Sequence, residues 1–185
     1  MNNAPGGLMI VVNRMFTVTA APAVVLGYLT DFGNSAQWHP ATRQVTRDDT
    51  GPLVPGASWR QVCRILGVTA ELAWTLVATG PDRLVFHGRN EGITRTDHIV
   101  ARPGGRGTDV AYHAELEMHG LAKLATPILR TEFEKIGMTA AAVLAGVLDR
   151  LGGEHRSTEL GFAPPRSASP RSASPRSASP RGQEA

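Results

Sequence analysis

Four side chains in this sequence have types and positions suited to acting on a carbonyl compound: Tyr112, Gln61, Asp97 and His39. Tyr112 falls in phase with apolar neighbours, so its hydroxyl points inward, where it can polarise a carbonyl or hydrogen-bond a backbone oxygen. Gln61 shares the phase of Trp59 and Cys63, which gives the expected inner face one amide for a ligand carbonyl or for a structural bond. His39, in Trp38-His39-Pro40, has the pKa of a general base near neutrality, although a loop histidine beside proline is commonly solvated. Asp97 is the better base if its strand phase turns it inward; otherwise it is an exposed strand-end carboxylate. Trp38, Trp59, Trp74, Leu76 and Phe86 supply large apolar walls, either for a ligand or for an ordinary core.

Other chemistries lack their residues. His87, His98, His113 and His119 are not spaced as a metal set, and His113 lies on a polar strand face with Glu115 and Glu117, so no metal and no cofactor is expected. The one cysteine, Cys63, excludes an intrachain disulfide and reads as a small core residue. Gly104-Gly105-Arg106-Gly107 has strand patterns on both sides, so it is a hairpin turn and not a phosphate loop.

The elements that must position these groups are mostly strands. Val110, Tyr112, Ala114, Leu116 and Met118 alternate with Asp109, His113, Glu115 and Glu117 over 108–118. The same period runs through 68–78, with Val68, Ala70, Leu72, Trp74 and Leu76 on the apolar side, and through 57–66. One apolar face at period two means antiparallel strands wet on the other face. Turn signals at Gly67, Gly80-Pro81-Asp82, Asn90-Glu91-Gly92 and Pro103-Gly104-Gly105 divide 57–118 into a five-strand meander. Earlier strands are expected near 14–19 and 43–48, with short helices between them. A long helix from Thr126 to Leu151 carries Leu129, Phe133, Ile136, Ala140, Val143/Leu144, Val147 and Leu151 as a stripe, with Gly152-Gly153 as its stop. Seven strands and one long helix pack if the sheet curls around the helix, an arrangement that leaves an apolar cavity between them.

Charge separates the body from the tail. The chain carries 19 Lys+Arg and 16 Asp+Glu, but residues 1–155 balance at 14 of each. The excess positive charge therefore lies in the tail, where PRSAS occurs three times in succession from Pro165. Proline every fifth residue forbids regular structure there, so 154–185 is expected to be a disordered Arg/Ser/Pro tail and 1–13 a flexible N-terminus. A neutral body argues against a dedicated nucleic-acid site. No apolar run approaches the ~18–20 residues of a membrane span, and Leu8–Val12 is too short for a secretory core, so the protein is expected to be soluble and cytoplasmic.

The segments VTAAPAVVLGYLTDFGNSAQWHP (18–40), PGASWRQV (55–62), TGPDRLVFHGRN (79–90), ARPGGRGTDVAYHAELEMHG (101–120) and ATPILRTEFEKIG (125–137), in this order, resemble the SRPBCC or START-like superfamily, and within it the polyketide cyclase/dehydrase branch. The resemblance implies an α+β helix-grip domain over 14–153: a curved seven-stranded antiparallel sheet around a long C-terminal helix, with two short helices after the first strand. It implies a small hydrophobic, polyketide-like ligand in an internal cavity, with His39 and Trp38 near its mouth. Where many relatives resemble Asp-Thr-Tyr-Thr-Phe, this chain reads Asp97-His98-Ile99-Val100-Ala101, which implies a differently shaped pocket. A cyclase would use Tyr112, Asp97 or His39 for acid–base work in aldol cyclisation and dehydration, with Trp38, Trp59, Gln61, Trp74, Leu76 and Phe86 holding the substrate. A non-catalytic carrier or sensor of a lipid or other hydrophobic metabolite needs the same pocket.

Overall fold

A computed structural model of the chain describes residues 9–120, 124 and 126–159. The tail repeats lie outside the described residues. Seven strands, β1 (Met9–Val18), β2 (Thr42–Arg47), β3 (Ser58–Ile65), β4 (Val68–Thr79), β5 (Arg83–Arg89), β6 (Ile93–Gly104) and β7 (Gly107–Met118), form one antiparallel sheet in the order β1-β7-β6-β5-β4-β3-β2. Consecutive hairpins build β2 to β7. The first strand then closes the far edge by pairing with the last, in register from Met9–Glu117 to Val18–Thr108. Helix α1 (Pro22–Thr30), a 3-10 turn at Phe32–Asn34 and the single turn α2 (Ser35–Trp38) carry the chain from one sheet edge to the other. The long helix α3 (Thr126–Glu159) is gripped by the curved sheet.

The alternation read from the sequence holds in space except at the β3–β4 turn, where Val68, expected on the apolar face, is exposed. Trp59, Gln61 and Cys63 of β3, Leu72, Trp74 and Leu76 of β4, and Val110, Ala114, Leu116 and Met118 of β7 are buried, while the intervening residues face outward or are only partly covered. From α3, Phe133, Ala140, Leu144, Val147 and Leu148 are buried against them. Register shifts at Leu76/Ala78 and at Thr42/Gln44 bend their strands and add to the curvature.

Two boundaries differ from expectation. Strand β1 begins at Met9, so residues 9–13, expected in a flexible N-terminus, form its first half. Ile10 and Val12 are buried there, and full-length pairing with β7 decides the matter. Helix α3 runs through the glycine pair expected to stop it, as far as Glu159. Gly152 serves packing instead: a Cβ there would lie 2.7 Å from the Ala20 backbone, so only glycine lets the helix cross this close to the end of β1. Helix α3 is also long and apolar enough to cross a bilayer by length and composition, contrary to the expectation of no span-length segment. A core helix passes the same test, and one face of α3 packs on the sheet.

A second close approach fixes the centre of the sheet. Gly88 stands opposite Trp74, whose indole lies over it, and a Cβ at Gly88 would come within 2.6 Å of the ring. Trp74 is stacked on Phe32 with centroids 4.4 Å apart. Gly88→Ala should therefore push the indole off its seat and destabilise the fold by ~1–3 kcal/mol, measured by urea unfolding. An unchanged midpoint would show that the indole has room to shift.

Candidate functional site

The main cleft opens between α3 and the β1/β7 side of the sheet, where the larger core cluster gives way to a smaller one containing Ile10, Val12, Ala114, Leu116 and Phe133. It holds about 450 Å³ of space between atoms, solvent at its mouth included. Its walls are chiefly apolar, from Val12, Phe16, Leu116, Phe133, Ile136 and Leu144. The cleft is slender, so a ligand with a ring system must part α3 from the sheet. Four side chains with polar atoms, Trp38, His39, Arg95 and Tyr112, also line it. Smaller chambers adjoin them, and two of these, each with room for little more than a water molecule, are lined by Ser35, Trp38, Asp97 and Tyr112.

Strand phase builds the polar cluster. In β6, Arg95, Asp97, Ile99 and Ala101 all point inward, so Asp97 is buried at 3 % exposure. Two residues along the same face, Arg95 turns back to hold it with Nε–Oδ1 at 2.7 Å and Nη2–Oδ2 at 3.0 Å. From β7, the Tyr112 hydroxyl donates to Asp97 Oδ2 and accepts from Arg95 Nη2 at 2.8 Å. Ala114, directly across from Asp97 in the register, is a small neighbour to this knot. The Arg95 guanidinium also sits over the Trp74 ring at 5.4 Å. Burial by itself would favour losing the Arg95 proton, but Asp97 and Tyr112 hold it charged, above its ordinary pKa. Burial likewise pushes the Tyr112 phenol well above its usual value despite the neighbouring cation, so it stays protonated. The cluster is thus a buried, internally neutral unit.

A second hydrogen-bond chain ends on His39. Trp74 Nε1, which can only donate, bonds Gln61 Oε1 at 2.8 Å and thereby orients the amide. Gln61 Nε2 then donates to Thr42 Oγ1 at 2.7 Å. The Thr42 hydroxyl, which accepts from Gln61, lies 3.2 Å from His39 Nδ1 and is hydrogen-bonded to it. His39 is buried, and that burial, with the Arg95 charge adding to it, lowers its pKa to about 3. At neutral pH it is an uncharged N–H donor. The solvated loop histidine suggested by its proline neighbour is not what the structure contains.

The structure brings Tyr112, Asp97, His39, Gln61, Trp38 and Trp74 around one inner chamber. Phe86 borders the other. Trp59 and Leu76 are 1 % and 0 % exposed and, with Trp74 and Phe86, stand away from the main cleft in the packed interior. Trp59 anchors that interior through its Nε1–H to Asp31 at 3.1 Å and ring contacts with Phe32 and Phe86. Cys63, its thiol pKa raised by burial, donates to the Ala70 carbonyl. Arg95 was missed by sequence reasoning. Its signal was there: Arg95, Asp97, Ile99 and Ala101 share one phase, and an inward arginine two residues from an inward aspartate is an ion pair on one face.

Residues 9–151 match the family described as polyketide cyclase / dehydrase and lipid transport. Among solved structures, the chain is similar to the Zhui aromatase/cyclase from Streptomyces sp. R1128, with TM-score 0.62 and 14% identity over 81% of this chain and 96% of that one. It is also similar to a START superfamily protein from Mycobacterium smegmatis, with TM-score 0.62 and 14% identity over 76% and 98% of the two chains. The di-domain ARO/CYC BexL from the BE-7585A biosynthetic pathway matches with TM-score 0.59 and 12% identity over 77% of this chain, which spans about half of that protein, 50% of its length. At these identities the likeness is one of fold. No curated protein sequence matches. The match over residues 9–151, carried by the gripped helix and the seven-stranded sheet, places the chain in the polyketide cyclase/dehydrase and lipid transport family.

Proposed function

We propose that the cleft binds an uncharged hydrophobic molecule bearing carbonyl groups, of the polyketide kind, and promotes its aldol cyclisation with loss of water. The observation that carries this reading is the neutral Arg95–Asp97–Tyr112 knot at the inner end of an otherwise apolar cleft. A β-dicarbonyl is already acidic, so enolisation needs only a positioned base and donors to the developing oxyanion in a dry site. Asp97 is the base in this reading, taking the proton from the carbon between two carbonyls. Tyr112 and Arg95 donate to the enolate oxygen. The enolate carbon then attacks a second carbonyl, and the resulting alkoxide takes the proton that Asp97 had removed; Asp97 then removes the remaining proton from the same carbon and returns it to the hydroxyl, which leaves as water as the carbon–carbon double bond forms. His39, held uncharged by its burial and by the Arg95 charge, is unsuited to take a proton.

One observation favours a second reading, a carrier of the same class of molecule. Both candidate bases are already engaged, Asp97 by Arg95 and Tyr112, His39 by Thr42. The test supplies a reactive poly-β-ketone and follows rate and product pattern. Tyr112→Phe removes one hydroxyl and almost no volume; it should keep ligand affinity and slow turnover roughly a hundredfold, the usual loss for one donor to a developing charge. If the unmodified protein binds the product yet alters neither rate nor product pattern, the carrier reading replaces the cyclase.

A further inference from the structure

Two buried polar groups on α2 have no use in the fold. Ser35 is 3 % exposed and Trp38 8 %, and neither Ser35 Oγ nor Trp38 Nε1 has a hydrogen-bond partner. The other two unpartnered buried atoms among the described residues, Arg14 Nε and Arg47 Nε, belong to guanidinium groups bonded through their terminal nitrogens. Leaving a buried donor unsatisfied is costly, and such groups are rare in folded proteins. Ser35 and Trp38 stand three residues apart, and both line the two inner chambers, as do Asp97 and Tyr112. Trp38 also lines the main cleft.

The acceptor side of the same space is also incomplete. Asp97 Oδ2 accepts from Arg95 Nη2 and Tyr112, while Oδ1 accepts from Arg95 Nε alone. One carboxylate lone pair therefore remains on a residue that lines the same two chambers as the two unused donors.

From these three groups we infer a polar subsite behind the cleft, formed by Ser35, Trp38 and Asp97, that takes the uncharged hydroxyl of an aromatic or enolised ligand. The inference rests on the ligand-binding reading of the cleft and deepens it. A hydroxyl offers two acceptor sites and one donor, matching the Ser35 O–H, the Trp38 N–H and the free lone pair of Asp97 Oδ1. An ether lacks the donor. A carboxylate lacks it too, and sets its charge against Asp97 in a space where the Arg95 cation is already neutralised. The site thus selects by hydrogen-bond pattern and by charge.

The test titrates the full chain at pH 7 with 2-naphthol, 2-methoxynaphthalene, 2-naphthoate and naphthalene. 2-Naphthol should bind about tenfold more tightly than each of the others, the scale of one or two buried hydrogen bonds. Ser35→Ala should remove most of that advantage while leaving naphthalene affinity unchanged, and Trp38→Phe, whose ring also lines the main cleft, should bring the 2-naphthol and naphthalene affinities together whatever it does to naphthalene alone. Ser35→Ala, which deletes an unpartnered hydroxyl, should leave the ligand-free thermal midpoint unchanged or higher, which separates loss of the subsite from loss of the fold. Naphthalene and 2-naphthol binding equally, or 2-naphthoate binding best, overturns the subsite and leaves the cleft standing. Failure of every probe, naphthalene included, overturns the cleft reading itself.

Discussion

Arg95→Met is expected to destabilise the protein by ~3–5 kcal/mol, the usual loss when one partner of a buried ion pair is removed. The reason lies in what it leaves behind. Asp97 would remain 3 % exposed with Tyr112 as its one remaining partner, and the charge on the carboxylate would have no counterion within the knot. The double variant Arg95→Met/Asp97→Leu should recover most of the loss, because a well-packed apolar pair of similar volume avoids desolvating two ions. Urea unfolding followed by tryptophan fluorescence measures both, since Trp59 and Trp74 are fully buried. A double variant as unstable as the single one would mean that the ion pair itself holds the sheet together. Recovery would mean that the pair is kept for what it does in the cleft, at some expense of stability.

That result bears on why the site was only partly legible in the sequence. Apolar alternation at 68–78 and 108–118 identifies strands and faces because a one-residue slip would turn a whole row of side chains into water. The same rule treats charged residues in a strand as outward markers. Arg95 obeys the phase but not the rule, since Asp97 and the Trp74 face satisfy it inside. His39 failed differently: its neighbour Pro40 is exposed, yet the end of α2 turns the imidazole inward onto Thr42. Trp59, Trp74, Leu76 and Phe86 lie on the expected face, but phase says nothing about which part of an interior is filled and which is hollow. Here the hollow falls on the β1/β7 side, where α3 meets the sheet edge and the core divides in two. Gly152 shows a similar limit: glycine as a helix stop and glycine as a contact point have the same local sequence, and only the position of Ala20 separates them.

His39 should make the fold sensitive to acid in a window that the sequence alone would place elsewhere. Its pKa falls from the ordinary histidine value of 6.5 to about 3 in the folded protein. Between those two pH values the unfolded chain binds a proton at this residue and the folded chain does not, so stability is fully present above ~6.5 and declines as pH falls toward 3. Each pH unit within the window removes about 1.4 kcal/mol, so roughly 3 kcal/mol is lost between pH 7 and 4.5 through this group. His39→Asn keeps a side-chain hydrogen-bonding group for the Thr42 hydroxyl and removes the titration. Carboxylates elsewhere contribute equally to both proteins and cancel in the comparison. The variant should therefore be less stable at pH 7 but show a flatter profile, the two urea midpoints converging or crossing as pH falls. Parallel profiles would show that the imidazole protonates freely in the folded state. The same geometry sets the expected dependence of turnover. The groups around His39 include the Arg95 cation, which opposes an imidazolium, the Asp97 carboxylate, which Arg95 already engages, and the neutral Thr42 and Trp38, and none of them is free to stabilise an imidazolium. Any cyclisation rate should then show no inflection near 6.5 that disappears in His39→Asn. If one is found, His39 takes up a proton during turnover, and the role of base passes from Asp97 to it.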